Sequence, residues 1–152
     1  MRTANHLLVL TLDEQQYALH LSAVERIVRA VAVTHLPQAP EIVLGVVNVH
    51  GQVIPVVDVR KRFRLPRRDI ELSDRFIITH TARRPVIVVA DTVVGVMTYT
   101  SQDVMPAETI LPGAGYVEGV VRLADGLLFI HNLDTFLSLD EEQVLHEVLL
   151  SA

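Results

Sequence analysis

Gly45 to Phe63 reads GVVNVHGQVIPVVDVRKRF. Two β-branched apolar runs, Val46 to Val49 and Val53 to Val57, flank a polar kink at His50-Gly51-Gln52. Runs of that kind joined by a short glycine-containing connection predict a β-hairpin. Pro55 lies in the second run, and a residue with no N–H to donate predicts an edge or bulged strand. Asp58 closes that run, where its carboxylate suits the N-cap of a helical turn through Arg60-Lys61-Arg62-Phe63.

Outward from this hairpin, composition bounds the rest. Of 152 residues half are hydrophobic and a fifth charged, enough apolar material for a core and unlike a disordered chain. Val, Leu and Ile dominate over three Tyr, four Phe and no Trp, which predicts a mainly β protein. The absence of cysteine excludes disulfides, thiolate metal sites and cysteine nucleophiles. The apolar run Leu7 to Leu10 is too short for a signal-peptide core, and no run approaches the ~18 residues of a membrane span. The expectation is a cytoplasmic protein without direct membrane insertion. A net charge of −5 argues against nucleic acid as a general partner.

Along the chain, His6 to Leu12 and Tyr17 to Leu21 predict two strands joined at Asp13-Glu14-Gln15-Gln16. Ser22 and Glu25 have capping-box spacing, predicting a brief helical turn before the strand-like Ile27 to Val33. A charged connector, RLPRRDIELSD, follows Phe63. Phe76 to Thr79, Pro85 to Ala90 and Thr92 to Thr100 predict strands, and Ser101 to Gly115 a loop. Tyr116 to Leu123 and Leu127 to His131 predict a second hairpin around Asp125-Gly126. Ser138 and Glu141 form a capping box for a terminal helix with Val144, Leu145, Val148 and Leu149 on one stripe.

The chain repeats itself. An offset of 69 carries Leu7-Leu8-Val9 onto Phe76-Ile77-Ile78, Val24 onto Val93 and Leu36-Pro37 onto Met105-Pro106. After a longer second loop an offset of 74 carries Gly45-Val46-Val47 onto Gly119-Val120-Val121, and Asp58 onto Asn132. Two lobes of about five short strands follow, one over about 6–66 and one over about 74–137, with a helix over about 138–150. Strand sets this small avoid open edges best by curling into barrels.

With the strand pair ending in AVERIV and the loop THLPQAPEIVL before it, the central stretch resembles the CheW-like domain of bacterial chemotaxis coupling proteins and histidine kinases. Gly45, Asn48, Gly51, Pro55, Val56, Asp58 and Arg60 match that family's motif in order. The resemblance implies two SH3-like five-stranded β-barrel lobes sharing a hydrophobic core, with short helices and a C-terminal helix. It implies a non-enzymatic adaptor, without metal or cofactor, that couples chemoreceptors to a kinase. The implied partners are a CheA-type histidine kinase and the signalling tip of a methyl-accepting chemoreceptor. The protein would be a monomer alone and assemble into membrane-associated arrays. Carried onto this chain, the partner-binding residues are Glu25, Arg26, Gly45, Asn48, His50, Gly51, Arg60, Phe76 and Ile78. Pro55, Asp58 and Asn132 are structural positions of the motif.

Two positions depart from the family pattern. His50 stands where the family has arginine, and the acid before the loop is displaced by one, giving Glu25-Arg26. The family's opposite-charge pair becomes Arg26 with His50, tolerable near neutral pH but repulsive once a histidine protonates.

Other chemistry is weaker. The seven histidines lack i,i+2 or i,i+4 ligand spacing and read as surface or loop residues. Ala90-Asp91-Thr92-Val93 lacks the glycine that an aspartic-protease signature needs after Asp-Thr. The basic run Arg60 to Arg68 supports an alternative, a small barrel binding single-stranded nucleic acid, although Phe63 is its only aromatic residue for base stacking.

Overall fold

The structure is a computed structural model that describes residues 5–106 and 116–151. The part of the expected 101–115 loop beyond Pro106 lies outside the described residues. β4 (Val43–Val49) and β5 (Gln52–Val57) form the predicted hairpin, with Val49 opposite Gln52. The two turn residues have positive φ, 51° at His50 and 84° at Gly51. This is the pattern of a type I′ turn, whose twist matches that of the flanking strands. Asp58 caps α1 (Val59–Arg62), its carboxylate accepting from Lys61 N at 3.3 Å.

The remaining strands are β1 (Asn5–Leu12), β2 (Gln15–His20), β3 (Val24–Arg29), β6 (Arg75–His80), β7 (Pro85–Ala90), β8 (Thr92–Tyr99), β9 (Val104–Pro106), β10 (Val117–Leu123) and β11 (Gly126–His131). α2 (Leu139–Ser151) closes the chain. The fold is mainly β, in two sheets of order β8-β1-β2-β11-β10-β9 and β3-β6-β7-β5-β4.

Every strand of the first half has a counterpart in the second. β4 and β5 map by the offset of 74 onto β10 and β11, and both hairpins carry a register shift, before Gly45 and before Gly119. A Cβ at Gly45 would lie 2.3 Å from the Thr34 carbonyl oxygen, and one at Gly119 would lie 2.4 Å from Val104 Cγ1. Each glycine admits the segment that crosses its strand. Thr34 exchanges both backbone hydrogen bonds with Val46, which links β3's outgoing chain to β4 across the open side of the sheet.

Each sheet draws strands from both halves of the chain, however. The six-stranded sheet takes β1 and β2 from the first half and β8–β11 from the second; the five-stranded sheet takes β3–β5 and β6–β7. Two parallel pairings make the exchange, β5 with β7 and β2 with β11. Under the repeat, Val56 opposite Ile87 and Ile130 opposite Ala18 are the same pair. Parallel neighbours cannot be joined by a tight turn, so each strand finds its partner in the other copy. A repeat reveals the unit and leaves open which copy a strand pairs with.

This interleaving explains the unbroken apolar runs. In β1, Leu8 and Leu10 face a core shared by both sheets and α2, while Leu7 and Val9 face the core of their own sheet. In β6, Ile77 joins the shared core and Phe76 and Ile78 the other. Strands buried on both faces read as continuous hydrophobic runs.

Several local expectations are corrected. Pro55 is in a strand that lies inside its sheet, but its neighbour β7 pairs only from Val56 onward, so proline meets no parallel ladder. Ser22 does not open a capping box: a 3₁₀ turn covers Leu21–Ala23 with no side-chain cap, and Glu25 belongs to β3. A capping box forms instead at Thr100 and Asp103. Asn132 occupies the N-cap of a 3₁₀ turn, Leu133–Thr135, without a side-chain cap bond. The Ser138–Glu141 box is present, with Ser138 N donating to Glu141 at 2.8 Å and Glu141 N to Ser138 Oγ at 3.1 Å. Leu145 of the helical stripe is buried and Val148 and Leu149 pack beside it, but Val144 is exposed.

Candidate docking surface

The register of β3 decides which side chains reach the hairpin tip. Val24 pairs with Thr79 and Arg26 with Ile78, so Glu25 is an extra residue opposite the bond between them. A bulge of this kind re-aims side chains that strict alternation would send to opposite faces. Glu25 and Arg26 are consequently both exposed. Arg26 Nη1 donates to His50 Nε2 at 3.0 Å. The Glu25 carboxylate lies 3.2 Å from His80 Nε2. Asn48 Oδ1 accepts from Gly51 N at 2.9 Å and fastens the turn that presents His50.

Glu25, Arg26, Asn48, His50 and Gly51 are thus brought together on one exposed surface around the hairpin tip. Ile27 and Val53, both exposed, add apolar area on the same two hairpin and edge strands. A face with mixed charge, an amide and isolated apolar side chains suits protein contact. The Arg26–His50 contact depends on a neutral imidazole, because a protonated ring has no lone pair to accept with and carries like charge. His80 was not among the residues anticipated here: nothing local in the sequence links it to Glu25, and only the β3–β6 ladder does.

The other expected contact residues sit elsewhere. Phe76 and Ile78 are 0% and 1% exposed, and are core rather than surface, because β6 is covered on both faces. Gly45 is buried beneath Thr34. Arg60 is withdrawn into a clamp: its guanidinium meets Asp13 at 2.8 Å and both oxygens of Asp91 at 2.8 and 2.7 Å. Arg68, from the connector, reaches Asp74 at 2.8 Å and Asp91 at 2.6 Å. Burial works to raise the Asp91 pKa, but hydrogen bonds from Arg60, the Asp13 backbone and Arg68 prevail and hold it below the usual carboxylate value. Hydrogen bonds to Asp13 and Asp74 respectively keep Arg60 and Arg68 firmly charged. Asp91, the residue with a faint protease signature, is therefore an anchor for two arginines.

The same contacts dismantle the basic run. Lys61 pairs with Glu41 at 2.8 Å, and Arg62 donates to the Phe136 carbonyl at 2.6 Å and to Glu141. Phe63 stacks inside, 4.8 Å from the His131 ring and 4.9 Å from Tyr17. Arg64 and Arg67 are exposed. Most of the run is committed to internal carboxylates, so it offers no continuous groove of the kind that tracks a phosphate backbone.

His131 departs from the expected surface position. It is 1% exposed, packed against Tyr17, Phe63 and Phe136, and neither ring nitrogen has a hydrogen-bond partner among the described residues. Burial lowers its pKa to about 3. Among the described residues no three His, Asp or Glu side chains converge as a metal site, and no helix is long and apolar enough to cross a membrane.

The chain matches the CheW-like domain family over residues 6–146. It is 28% identical to the chemotaxis protein CheW of Treponema pallidum, over 91% of this chain and 85% of that protein. It is 25% identical to the chemotaxis protein CheW of Klebsiella aerogenes, over 93% and 86% of the two chains. The crystal structure of the scaffolding protein TtCheW from Thermoanaerobacter tengcongensis superimposes with a TM-score of 0.83, at 26% identity, covering 91% of this chain and 96% of that one.

Proposed function

This chain belongs to the CheW-like domain family, and from that premise we propose that it is a non-enzymatic scaffold of chemosensory signalling. It couples the signalling tips of methyl-accepting chemoreceptors to a CheA-type histidine kinase and is recruited by them to membrane-associated arrays. The observation that carries the reading is the surface around the hairpin tip. The family's motif turn is held by Asn48, and its charged pair is replaced by the Arg26–His50 hydrogen bond.

Glu25, Arg26, Asn48 and His50 form the polar part of the docking surface in this reading, with Ile27 and Val53 as apolar contacts. Gly45, Gly51, Pro55 and Asp58 shape the hairpin that presents it. Arg60, Phe76 and Ile78 act behind it by holding the sheets in place.

Co-purification tests the proposal. The kinase's regulatory domain and a receptor tip fragment should each be retained by the immobilised intact chain. Retention of neither at protein concentrations on the order of 10 μM, where even an affinity of about −7 kcal/mol registers, would remove the proposal.

A further inference from the structure

The repeat places two equivalent clefts on the molecule, and the described residues fill only one. The filled cleft is lined by Leu44, Asp58, Val59, Arg60 and Val89, together with connector residues including Arg68. Its remaining volume is only about 20 Å³. The Arg60 and Arg68 guanidinium groups occupy this region, bonded to Asp13, Asp74 and Asp91.

By the offsets of 74 and 69, the counterparts of Leu44, Asp58, Val59, Arg60 and Val89 are Glu118, Asn132, Leu133, Asp134 and His20. All five line a second cleft, which is open and has a volume of about 340 Å³. His80 and His131 complete its polar lining. Two differences leave it open. Asp134 stands in the place of Arg60, and its carboxylate accepts from Ala82 N at 2.7 Å, Ala82 being the counterpart of Asp13. The segment after the second unit also departs as α2, so no arginine-bearing connector lies over the cleft.

The open cleft has the electrostatics of a cation site. Among the described residues no Lys or Arg lines it, whereas Glu118 and Asp134 do, with Glu118 bonded to His20 at 2.7 Å. His131 adds a second, separate observation, since neither ring nitrogen of this fully buried imidazole is hydrogen-bonded among the described residues. His80 joins the cleft to the hairpin-tip surface through its contact with Glu25. A planar guanidinium, with five donors in a fork, is the cation best matched to carboxylates set in a narrow cleft.

We infer that this cleft is a socket for an arginine side chain of a partner protein, filled from outside as the chain fills its counterpart from within. The socket adds a second point of attachment beside the hairpin tip and does not require that surface to be the kinase or receptor contact.

N-acetyl-arginine-methylamide, titrated into the intact protein and followed through the histidine ring C–H signals, tests this. Saturable shifts are expected at His20 and His80 and not at His35 or His146, with a Kd on the order of 1–10 mM. The lysine analogue should bind several-fold more weakly. Asp134→Asn and Glu118→Gln should each weaken binding about tenfold or more. Asp134→Arg, which restores the residue of the filled cleft, should abolish it at an unchanged urea midpoint. Shifts spread evenly over all histidines, equal binding of the lysine analogue, or indifference to both Asp134 substitutions would overturn the assignment.

Discussion

Replacing His131 by phenylalanine should make the protein more stable and its stability less sensitive to acid. The imidazole is held neutral in an aromatic cluster, with its ring 4.8 Å from Phe63, 5.0 Å from Tyr17 and 5.1 Å from Phe136. Its pKa is about 3 in the folded chain, against about 6.5 for a solvated histidine in the unfolded one. The folded value is the depressed one, so the contribution to stability is complete above pH 6.5. It is lost as pH falls from 6.5 toward 3, because the unfolded chain takes up a proton that the folded chain refuses.

Linkage between those two values gives a loss of about 2 kcal/mol between pH 8 and pH 5, growing to roughly 4 kcal/mol near pH 3. His131→Phe removes this term. It also relieves the unsatisfied ring nitrogens, an effect of about 1–3 kcal/mol at neutral pH, provided the larger ring fits without strain. Urea unfolding of both proteins at pH 8 and pH 5 is the assay. Carboxylates shared by the two proteins cancel in the comparison, so the natural chain should lose about 2 kcal/mol more than the variant. Equal losses would show that His131 does not stay neutral in the fold and would refute the reasoning.

Gly45→Ala should destabilise by about 1–3 kcal/mol, since its Cβ would meet the Thr34 oxygen at 2.3 Å and Val33 Cγ1 at 2.5 Å; a urea midpoint reads this. Arg60→Ala, which removes the cation from Asp13 and leaves Asp91 to Arg68 alone, should cost about 1–3 kcal/mol at pH 7. The Asp91 share of that effect is present above the ordinary carboxyl pKa of about 3.9 and fades as pH falls through its lowered folded value. The double change Arg26→Glu with His50→Arg restores the family's charge pair and should tighten partner binding several-fold in a calorimetric titration; unchanged affinity would mean that partners dock elsewhere.

What the sequence made legible was local. The His50-Gly51 turn, the Asp58 cap and the Ser138–Glu141 box each depend on residues within four positions of one another. Arg26 and His50 were paired in advance because both stand at positions of a motif whose geometry is shared across the family. The repeat was visible too, but not the exchange of β1–β2 and β6–β7 between sheets, since hydrophobic patterns of the two copies are nearly interchangeable. That exchange is what buries both faces of β6 and turns Phe76 and Ile78 into core. His131 was misread for a related reason: its surroundings come from Tyr17, Phe63 and Phe136, far apart in sequence, and histidine itself carries no strong preference for inside or outside. Arg60 and Arg68 looked like a basic surface because Asp13 and Asp91 lie in turns distant in sequence and Asp74 at the far end of the connector.

The central claim is that this chain is an adaptor whose exposed hairpin tip docks its partners. Titration of the kinase's regulatory domain and of a receptor tip into the intact chain and into Arg26→Ala tests it most directly. The account predicts saturable binding on the order of micromolar for the intact chain, weakened about tenfold by Arg26→Ala at an unchanged unfolding midpoint. Binding that is absent for both partners, or that is indifferent to Arg26, would contradict it.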